Sequence, residues 1–139
     1  MQSQAATPPG RPLPVISDLN RPMLEGADDK LRLQFCPQCG RWVFYPRIAC
    51  PSCLNMDLKW REASGKGHVI AQTVVHRVQH PALAHLAPAA MVAVELHEGP
   101  VVIASMAGGE NVPGIGSEVA VVMEEFGPGV HMPSFQVVS

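Results

Sequence analysis

The sequence has few aromatic residues, no excess of either charge and no long apolar run. Aromatic residues make up 5% of its 139 residues, and the formal net charge is −2. A chain without a basic excess has no general electrostatic attraction to nucleic acid or to an anionic membrane. Its longest apolar stretches, such as 89–94, are far too short to span a bilayer. From these two observations we expect no nucleic-acid or membrane partner. Because the N-terminus lacks the basic and apolar segments of a signal peptide, we also expect a soluble cytoplasmic protein.

The motifs of a self-sufficient enzyme are missing as well. The sequence contains no G-x-S-x-G nucleophile elbow, no P-loop and no G-x-G-x-x-G after a strand. His76, His80 and His85 have spacings that a helix would bring together, but Pro81 and the preceding β-pattern argue against a helix. We therefore interpret these histidines as surface or loop residues, and we expect a chain that is not an enzyme by itself.

The cysteines form two C-x-x-C pairs separated by ten residues, and the chain has no others. They are Cys36, Cys39, Cys50 and Cys53. Each C-x-x-C turn points two thiolates the same way, so two such turns complete a tetrahedral zinc site. Gly40, just after the second cysteine, suits a turn that needs a positive φ. Four thiolates leave no open position for water, so the predicted zinc is structural and the cysteines fit a reducing compartment.

The residues around the cysteines predict a zinc ribbon that follows an arm and a short helix. Residues 1–16 are rich in proline and are expected to form a disordered arm. Residues 17–58 are expected to contain a helix over 17–30 and a hairpin of strands at 31–35 and 42–45. A module this small cannot fold by burial alone, so the metal must contribute on the order of 10 kcal/mol.

The remaining residues, 59–139, show the pattern of an all-β domain. Five strand candidates lie at 65–78, 89–96, 100–106, 118–126 and 133–138. Gly65 and Gly67 at the start of the first candidate suit a strand that bends sharply. Five short strands that open on a long bent one predict a closed five-stranded OB-fold barrel, although the connector before the fourth is too short for the usual helix. The expected fold class is thus mostly β, with a short N-terminal helix, a zinc ribbon and this C-terminal barrel.

Two functions remain open alternatives on the residues alone. An OB fold with a zinc ribbon can bind single-stranded nucleic acid, although residues 58–139 hold four basic and seven acidic side chains. A C-x-x-C-G knuckle followed by Tyr45 is similar to the iron site of rubredoxin, which would make the protein a small electron carrier. Rubredoxins separate their cysteine pairs more widely, so the spacing favours zinc.

The order of these parts resembles a known family. Its motifs here are Leu31-Arg32-Leu33-Gln34-Phe35-Cys36-Pro37-Gln38-Cys39-Gly40, Tyr45-Pro46-Arg47, Cys50-Pro51-Ser52-Cys53, Ser64-Gly65-Lys66-Gly67-His68-Val69, Thr73-Val74-Val75-His76-Arg77, Val92-Ala93-Val94-Glu95-Leu96 and Met132-Pro133-Ser134-Phe135. The resembled family is the acyl-CoA-associated one catalogued as domain of unknown function thirty-five, and the likeness extends over 22–138. Pro22-Met23-Leu24 departs from it, because the family often has an aromatic pair there.

The resemblance implies a non-catalytic subunit in a hetero-oligomer. Members of the family look like companions of thiolase-like, aldolase or hydratase enzymes that act on acyl-CoA, and the implied role includes sharing an acyl-CoA ligand with that enzyme. The four cysteines carry over as zinc ligands. No CoA-binding residue carries over, and the cations that we predict for the CoA phosphates are Arg41, Arg47 and Arg77. The predicted partner-docking residues are Trp42, Phe44 and Tyr45.

Overall fold

The fold is that of a computed structural model, which describes residues 14–25, 30–77, 81, 87–107, 112–127 and 129–138. Within these residues it has one short helix and eight strands. The helix is α1 (Arg21–Leu24), and the strands are β1 (Arg32–Cys36), β2 (Arg41–Val43), β3 (Lys59–Glu62), β4 (Lys66–Val75), β5 (Ala89–Leu96), β6 (Val101–Ser105), β7 (Glu118–Gly127) and β8 (Val130–Val137). The predicted proline-rich arm lies outside the described residues except for 14–16.

The first sheet is the ribbon, with the strand order β2-β1-β3. The predicted hairpin is present, because β1 and β2 pair antiparallel with Phe35 opposite Trp42. The sequence pattern did not predict β3, which pairs with the other edge of β1 and places Leu33 opposite Arg61. Three of the four residues of β3 are charged, so it lacks apolar alternation and forms because the chain returns beside β1. The domain division predicted between residues 58 and 59 stays a prediction.

The helix is shorter than the sequence predicted. Over 17–25 only the four residues of α1 are helical, and residues 26–29 lie outside the described part. The helix does not begin at Ser17 as predicted, because Ser17 and Asn20 form a separate turn. In this turn Asn20 Oδ1 accepts the Ser17 N–H at 2.9 Å. The predicted apolar face of the helix is nevertheless present, since Met23 and Leu24 are buried.

The second sheet is the predicted five-stranded OB barrel. Its strand order is β6-β5-β4-β7-β8, and a parallel bridge joins Met106, the residue after β6, to Phe135 of β8. The bounds of β5 match the prediction, whereas β8 begins at Val130 instead of Pro133. The long strand β4 pairs with both β5 and β7 and has an irregularity between Val69 and Ala71, which allows one strand to serve both halves of the barrel.

Glycine is required at the start of β4 because the neighbouring strand approaches closely. A Cβ on Gly67 would overlap the carbonyl oxygen of Glu95 and would lie 2.8 Å from Cγ1 of Val94. Gly65, with a φ of +73°, lies against the Val121 side chain, whose Cγ1 an added Cβ would overlap. The sequence prediction of a glycine-dependent bend here therefore has a steric cause.

The ribbon and the barrel share one hydrophobic core. Leu31 and Leu33 from the ribbon are 0% and 1% exposed and belong to the same buried cluster as Val69 and Phe135 of the barrel. The helix α1 contributes to this cluster and contacts both β1 and β8. The apolar surface that holds the ribbon in place is therefore also part of the barrel's interior.

No helix among the described residues is long and apolar enough to cross a membrane. The cytoplasmic location stays a prediction from the sequence.

Candidate metal centre and the cleft beside it

The structure brings the four predicted cysteine sulfurs together at the end of the ribbon. All four lie within 4.8 Å of one another, with Cys36 and Cys53 at 3.5 Å and Cys39 and Cys50 at 3.6 Å. A zinc ion with bonds of about 2.3 Å to four sulfurs holds them about 3.8 Å apart. The sulfurs are therefore spaced for a tetrahedral metal with four protein ligands.

Each cysteine pair sits on a turn that closes in the same way. The Gly40 N–H donates to the carbonyl of Cys36 at 2.8 Å, and the Leu54 N–H donates to the carbonyl of Cys50 at 2.9 Å. Both Gly40 and Leu54 have a positive φ, of 73° and 64°. The sequence showed the first of these positions through its glycine, but leucine gave no signal for the second, because bulky residues rarely adopt this conformation.

Hydrogen bonds around the sulfurs favour the thiolate at the two buried cysteines. Burial raises the pKa of Cys36, but hydrogen bonds from the Cys39 backbone and the Asn55 amide outweigh it and lower that pKa to about 6. The pKa of Cys50 is lowered by the backbone N–H groups of Cys53 and Ser52. Burial and hydrogen bonds with Cys36 and Cys50 raise the pKa of Cys39 to about 12. Because zinc binds thiolates, the hydrogen bonds that lower the pKa of Cys36 and Cys50 favour the form in which these cysteines bind the metal.

Gln34 supports the site, although the sequence reasoning did not select it. Its side chain is buried, its Nε2 donates to the Arg47 carbonyl at 2.9 Å, and its Oε1 accepts the Arg47 N–H at 2.7 Å. Gln34 precedes Cys36 by two residues on β1, so both side chains lie on the same face of the strand. That spacing is the sequence signal that could have identified it.

We expect Gln34→Leu to lower the free energy of unfolding by about 2 kcal/mol, because it removes both hydrogen bonds between the buried Gln34 side chain and the Arg47 backbone. Urea unfolding of the zinc-loaded protein measures the change. Gln136→Leu, at an exposed position on β8, is the matched control and should leave the midpoint unchanged. Equal midpoints for the two variants would show that the paired hydrogen bonds do not hold this segment.

The aromatic residues predicted to dock a partner differ in exposure. Trp42 and Phe44 are half-buried and pack against the core, whereas Tyr45 is 57% exposed and lies with its ring centroid 4.1 Å from that of Phe44. On the neighbouring strand Phe35 meets Trp42 edge-on at 5.4 Å. Of the three predicted residues, Tyr45 is thus the one that presents most of its surface, and the docking role of all three stays a prediction.

A cleft of about 430 Å³ lies beside the metal centre, between the ribbon and the β5–β6 turn of the barrel. Arg41 and Arg47 line it from the ribbon, and Glu98 lines it from the turn. Arg77 follows the far end of β4, since Gly67 is near the β5–β6 turn and Val75 pairs at the opposite end of β5. The structure therefore brings two of the three predicted cations together and places the third elsewhere.

Two of the three clustered histidines, His80 and His85, lie outside the described residues, and His76 is exposed. Their interpretation as surface or loop residues stays a prediction.

Comparison with known proteins agrees with this architecture. The family model "ChsH2, rubredoxin-like zinc ribbon domain" matches residues 24–58, and "ChsH2, C-terminal OB-fold domain" matches residues 60–124. A chain of the solved structure described as "Ltp2-ChsH2(DUF35) aldolase" is 30% identical, with a TM-score of 0.76, and the match covers 90% of this chain and 98% of that one. The chain belongs to the DUF35 family. The family resemblance seen in the sequence is thereby confirmed.

A second DUF35 structure, a protein of unknown function from Sulfolobus solfataricus, shows the same fold. It is 18% identical, with a TM-score of 0.53, and the match covers 78% of this chain and 76% of that one. No curated protein matches the sequence. Membership of DUF35, with its zinc-ribbon domain, agrees with the sulfur geometry, so the four cysteines are the residues that would hold a structural zinc ion.

Proposed function

We propose that this DUF35 chain is the non-catalytic subunit of a two-component acyl-CoA enzyme of the aldolase type. The proposal depends on one observation, the 30% identity over 98% of a chain from the Ltp2-ChsH2(DUF35) aldolase. Thiolase-like and hydratase partners are the alternatives that the sequence also predicted. In each case the partner supplies the chemistry, and this chain docks on it and helps to hold the CoA thioester.

The metal centre supports a structural role for the chain. With four thiolates, the zinc has no position left for water or substrate, so it cannot act as a Lewis acid on a thioester. The free energy of zinc binding instead fixes the ribbon and the loops around it. A rigid surface of this kind suits docking, because little conformational entropy is lost when a partner binds.

The partner is proposed to dock on the ribbon tip, defined as Tyr45, Ile48, Leu54 and Met56. These large apolar side chains are 57%, 69%, 75% and 71% exposed and lie within residues 45–56, the segment that contains the second cysteine pair. Exposed apolar side chains that gather in one region are typical of protein–protein interfaces. Leu54 adds to this, because a leucine with a φ of 64° is costly where glycine would be free of strain.

The charges near the ribbon tip indicate what kind of partner surface would fit. Residues 37–56 contain Arg41 and Arg47 and no carboxylate side chain. A complementary partner would therefore present an apolar patch with acidic residues at its rim.

Co-expression with a candidate aldolase-like or thiolase-like partner tests the proposed function. We expect the two proteins to elute together in size-exclusion chromatography. We also expect the complex, and neither protein alone, to cleave a β-hydroxyacyl-CoA into a shorter acyl-CoA and a carbonyl compound. Separate elution together with full activity of the partner alone would reject the proposal. Metal analysis and an oligonucleotide-binding assay on the same preparation test the electron-carrier and nucleic-acid alternatives.

The double variant Ile48→Glu/Met56→Glu is expected to weaken partner binding by about 100-fold or more, because each buried charge at an interface centre costs about 2 kcal/mol. Ile115→Glu is the matched control, since Ile115 is 63% exposed on the barrel, and it should bind normally. Affinities are measured by biolayer interferometry after zinc content is shown to be unchanged. Loss of binding in the control alone would place the docking face on the barrel.

A further inference from the structure

The strand β6 is an edge of the barrel sheet and has a free side. The Leu96 N–H donates to the Pro100 carbonyl at 2.9 Å, so Pro100 directs its carbonyl toward β5. Because backbone groups alternate in direction along a strand, Val101 and Ile103 direct their N–H and C=O groups away from β5. Within the part of the chain that the structure describes, neither residue has a backbone hydrogen bond on that side. Polar backbone groups are thus displayed along the outer side of β6.

The far end of this edge is closed by the barrel itself. Met106 bridges to Phe135, and the Ala107 N–H donates to the Phe135 carbonyl at 2.7 Å. These contacts bring β8 beside the chain just after β6. The free part of the edge is therefore the beginning of β6, over residues 101–103.

The side chains next to the free edge are apolar and exposed. Val101 and Ile103 are 42% and 59% exposed. They point to the outer face of the barrel, because the alternate residues Val102 and Ala104 are buried. On that face Ile103 lies opposite Ala93 of β5. A strand placed beside β6 would therefore meet free backbone groups and apolar side chains on one surface.

Unlike the other edges, β6 has no feature that prevents pairing with a further strand. Proteins protect edge strands with charges, proline or bulges. Among the described strands, the edge β2 contains Arg41, three of the four residues of the edge β3 are charged, and the edge β8 contains Pro133. The five residues of β6 contain neither a charge nor a proline, and their register with β5 is continuous.

We propose that the free edge of β6 pairs antiparallel with the same edge of a second copy of this chain. The two-fold axis passes beside Val102, so Val101 of each copy lies opposite Ile103 of the other. Each opposed pair exchanges both of its N–H···O bonds, because these are the residues whose backbone groups point outward. The two five-stranded sheets become one continuous sheet. The assembly needs no other protein, so it is independent of the proposed role as a subunit.

The charges around the edge permit contact between two identical strands. On the outer face Glu95 lies opposite Val101 and pairs with His68 at 3.2 Å, and Glu98 in the turn before β6 accepts hydrogen bonds from Ser64. In the joined sheets the two β5 strands are three strand spacings apart, roughly 14 Å, which exceeds the Debye length of about 8 Å. Repulsion between the two Glu95 side chains is therefore weak. A charged strand would be buried against apolar side chains at a cost, so an uncharged copy of β6 is the occupant that fits.

Sedimentation velocity of the full zinc-loaded chain tests the assembly. Because the contact is small, we expect a reversible dimer with a dissociation constant of about 10–100 μM. Ile103→Lys should weaken it at least about 30-fold, because two like charges would meet across the two-fold axis. Ile70→Lys is the matched control, since Ile70 is 42% exposed on β4, away from the edge. It should change the dissociation constant less than about twofold.

Zinc content and melting temperature are compared with those of the wild type before the dimer is measured. If Ile103→Lys is unstable, Val101→Lys tests the same opposed pair.

Solvent exchange of backbone amides, measured by NMR, locates the contact. The Val101 and Ile103 N–H groups exchange only while the copies are apart. Raising the protein concentration from about 10 to about 500 μM should therefore slow their exchange about threefold or more. The Val102 and Ala104 N–H groups, which face β5, are the internal controls and should be unchanged.

Three results would overturn the proposal: a chain that stays monomeric at about 500 μM, an equal effect of Ile70→Lys, or unchanged exchange at Val101 and Ile103. If a strand of the partner enzyme occupies the edge instead, the isolated chain stays monomeric and these two amides become protected only in the complex. That outcome rejects pairing with a second copy.

Discussion

Cys36→Ser is expected to abolish stoichiometric zinc binding and to unfold the ribbon. Cys36 is fully buried, its sulfur is 3.5 Å from that of Cys53, and three remaining thiolates cannot complete the tetrahedral site. A structural zinc ion contributes about 10 kcal/mol or more to folding, which exceeds what so small a module can gain from burial. Elemental analysis should find less than a tenth of the wild-type zinc, and limited proteolysis should cut between residues 37 and 58.

The same variant should also weaken the barrel, which the sequence alone did not predict. Loss of the ribbon removes Leu31 and Leu33 from the common core, and each buried leucine contributes about 2 kcal/mol. We therefore expect the far-UV β-signal to persist at low temperature while the melting temperature of the barrel falls. Ser52→Ala, within the second knuckle but not at a sulfur ligand, is the control and should retain zinc. A ribbon that stays protease-resistant without zinc would contradict the prediction.

Gly67→Ala is expected to lower the free energy of unfolding by about 3–5 kcal/mol, an effect at the upper end for a single methyl group. The new Cβ would overlap the Glu95 carbonyl oxygen, and backbone atoms cannot move aside as a flexible side chain can. Relief would require β4 and β5 to separate where they pair between Gly67 and Leu96. Guanidinium unfolding measures the loss.

Gly114→Ala provides the matched control for this substitution. The nearest atom to its added Cβ would be the Ser117 hydroxyl at 3.8 Å, an ordinary contact distance. The control should therefore be neutral or more stable by about 0.5 kcal/mol, because alanine restricts the unfolded chain. If Gly67→Ala were equally neutral, the close approach of the two strands would not be a constraint on this fold.

Features that depend on local sequence were predictable. The spacing of the two C-x-x-C pairs predicted the cluster of four sulfurs, and the apolar stretch at 89–96 predicted the observed bounds of β5. Features that depend on contacts with distant parts of the chain were not predictable. The strand β3 has no alternation of its own and exists through its pairing with β1. The left-handed conformation of Leu54 is imposed by the closing of the second knuckle, not by the residue type.

The cleft was likewise predictable only in part. Arg41 and Arg47 were predicted from the sequence as cations near the cysteines. The cleft that they line is completed by a turn of the barrel about 50 residues away in the chain, which the sequence did not indicate. Gln34, which ties Arg47 to β1, differs from exposed glutamines elsewhere only in its position two residues before Cys36, and that spacing was not used in the prediction. Only the folded chain shows that it is buried.

The common core of Leu31, Leu33, Val69 and Phe135 means that two separately recognisable sequence regions depend on each other for stability. Suppose the ribbon of one distant relative replaced that of another at the boundary near residue 59. The core residues of the new ribbon and of the old barrel would then come from different proteins and would not fit one another. Such chimaeras should lose stability unless the residues on both sides of the contact are exchanged together. Inheritance of the ribbon and the barrel as a pair is therefore enforced by packing, independently of any demand made by the partner enzyme.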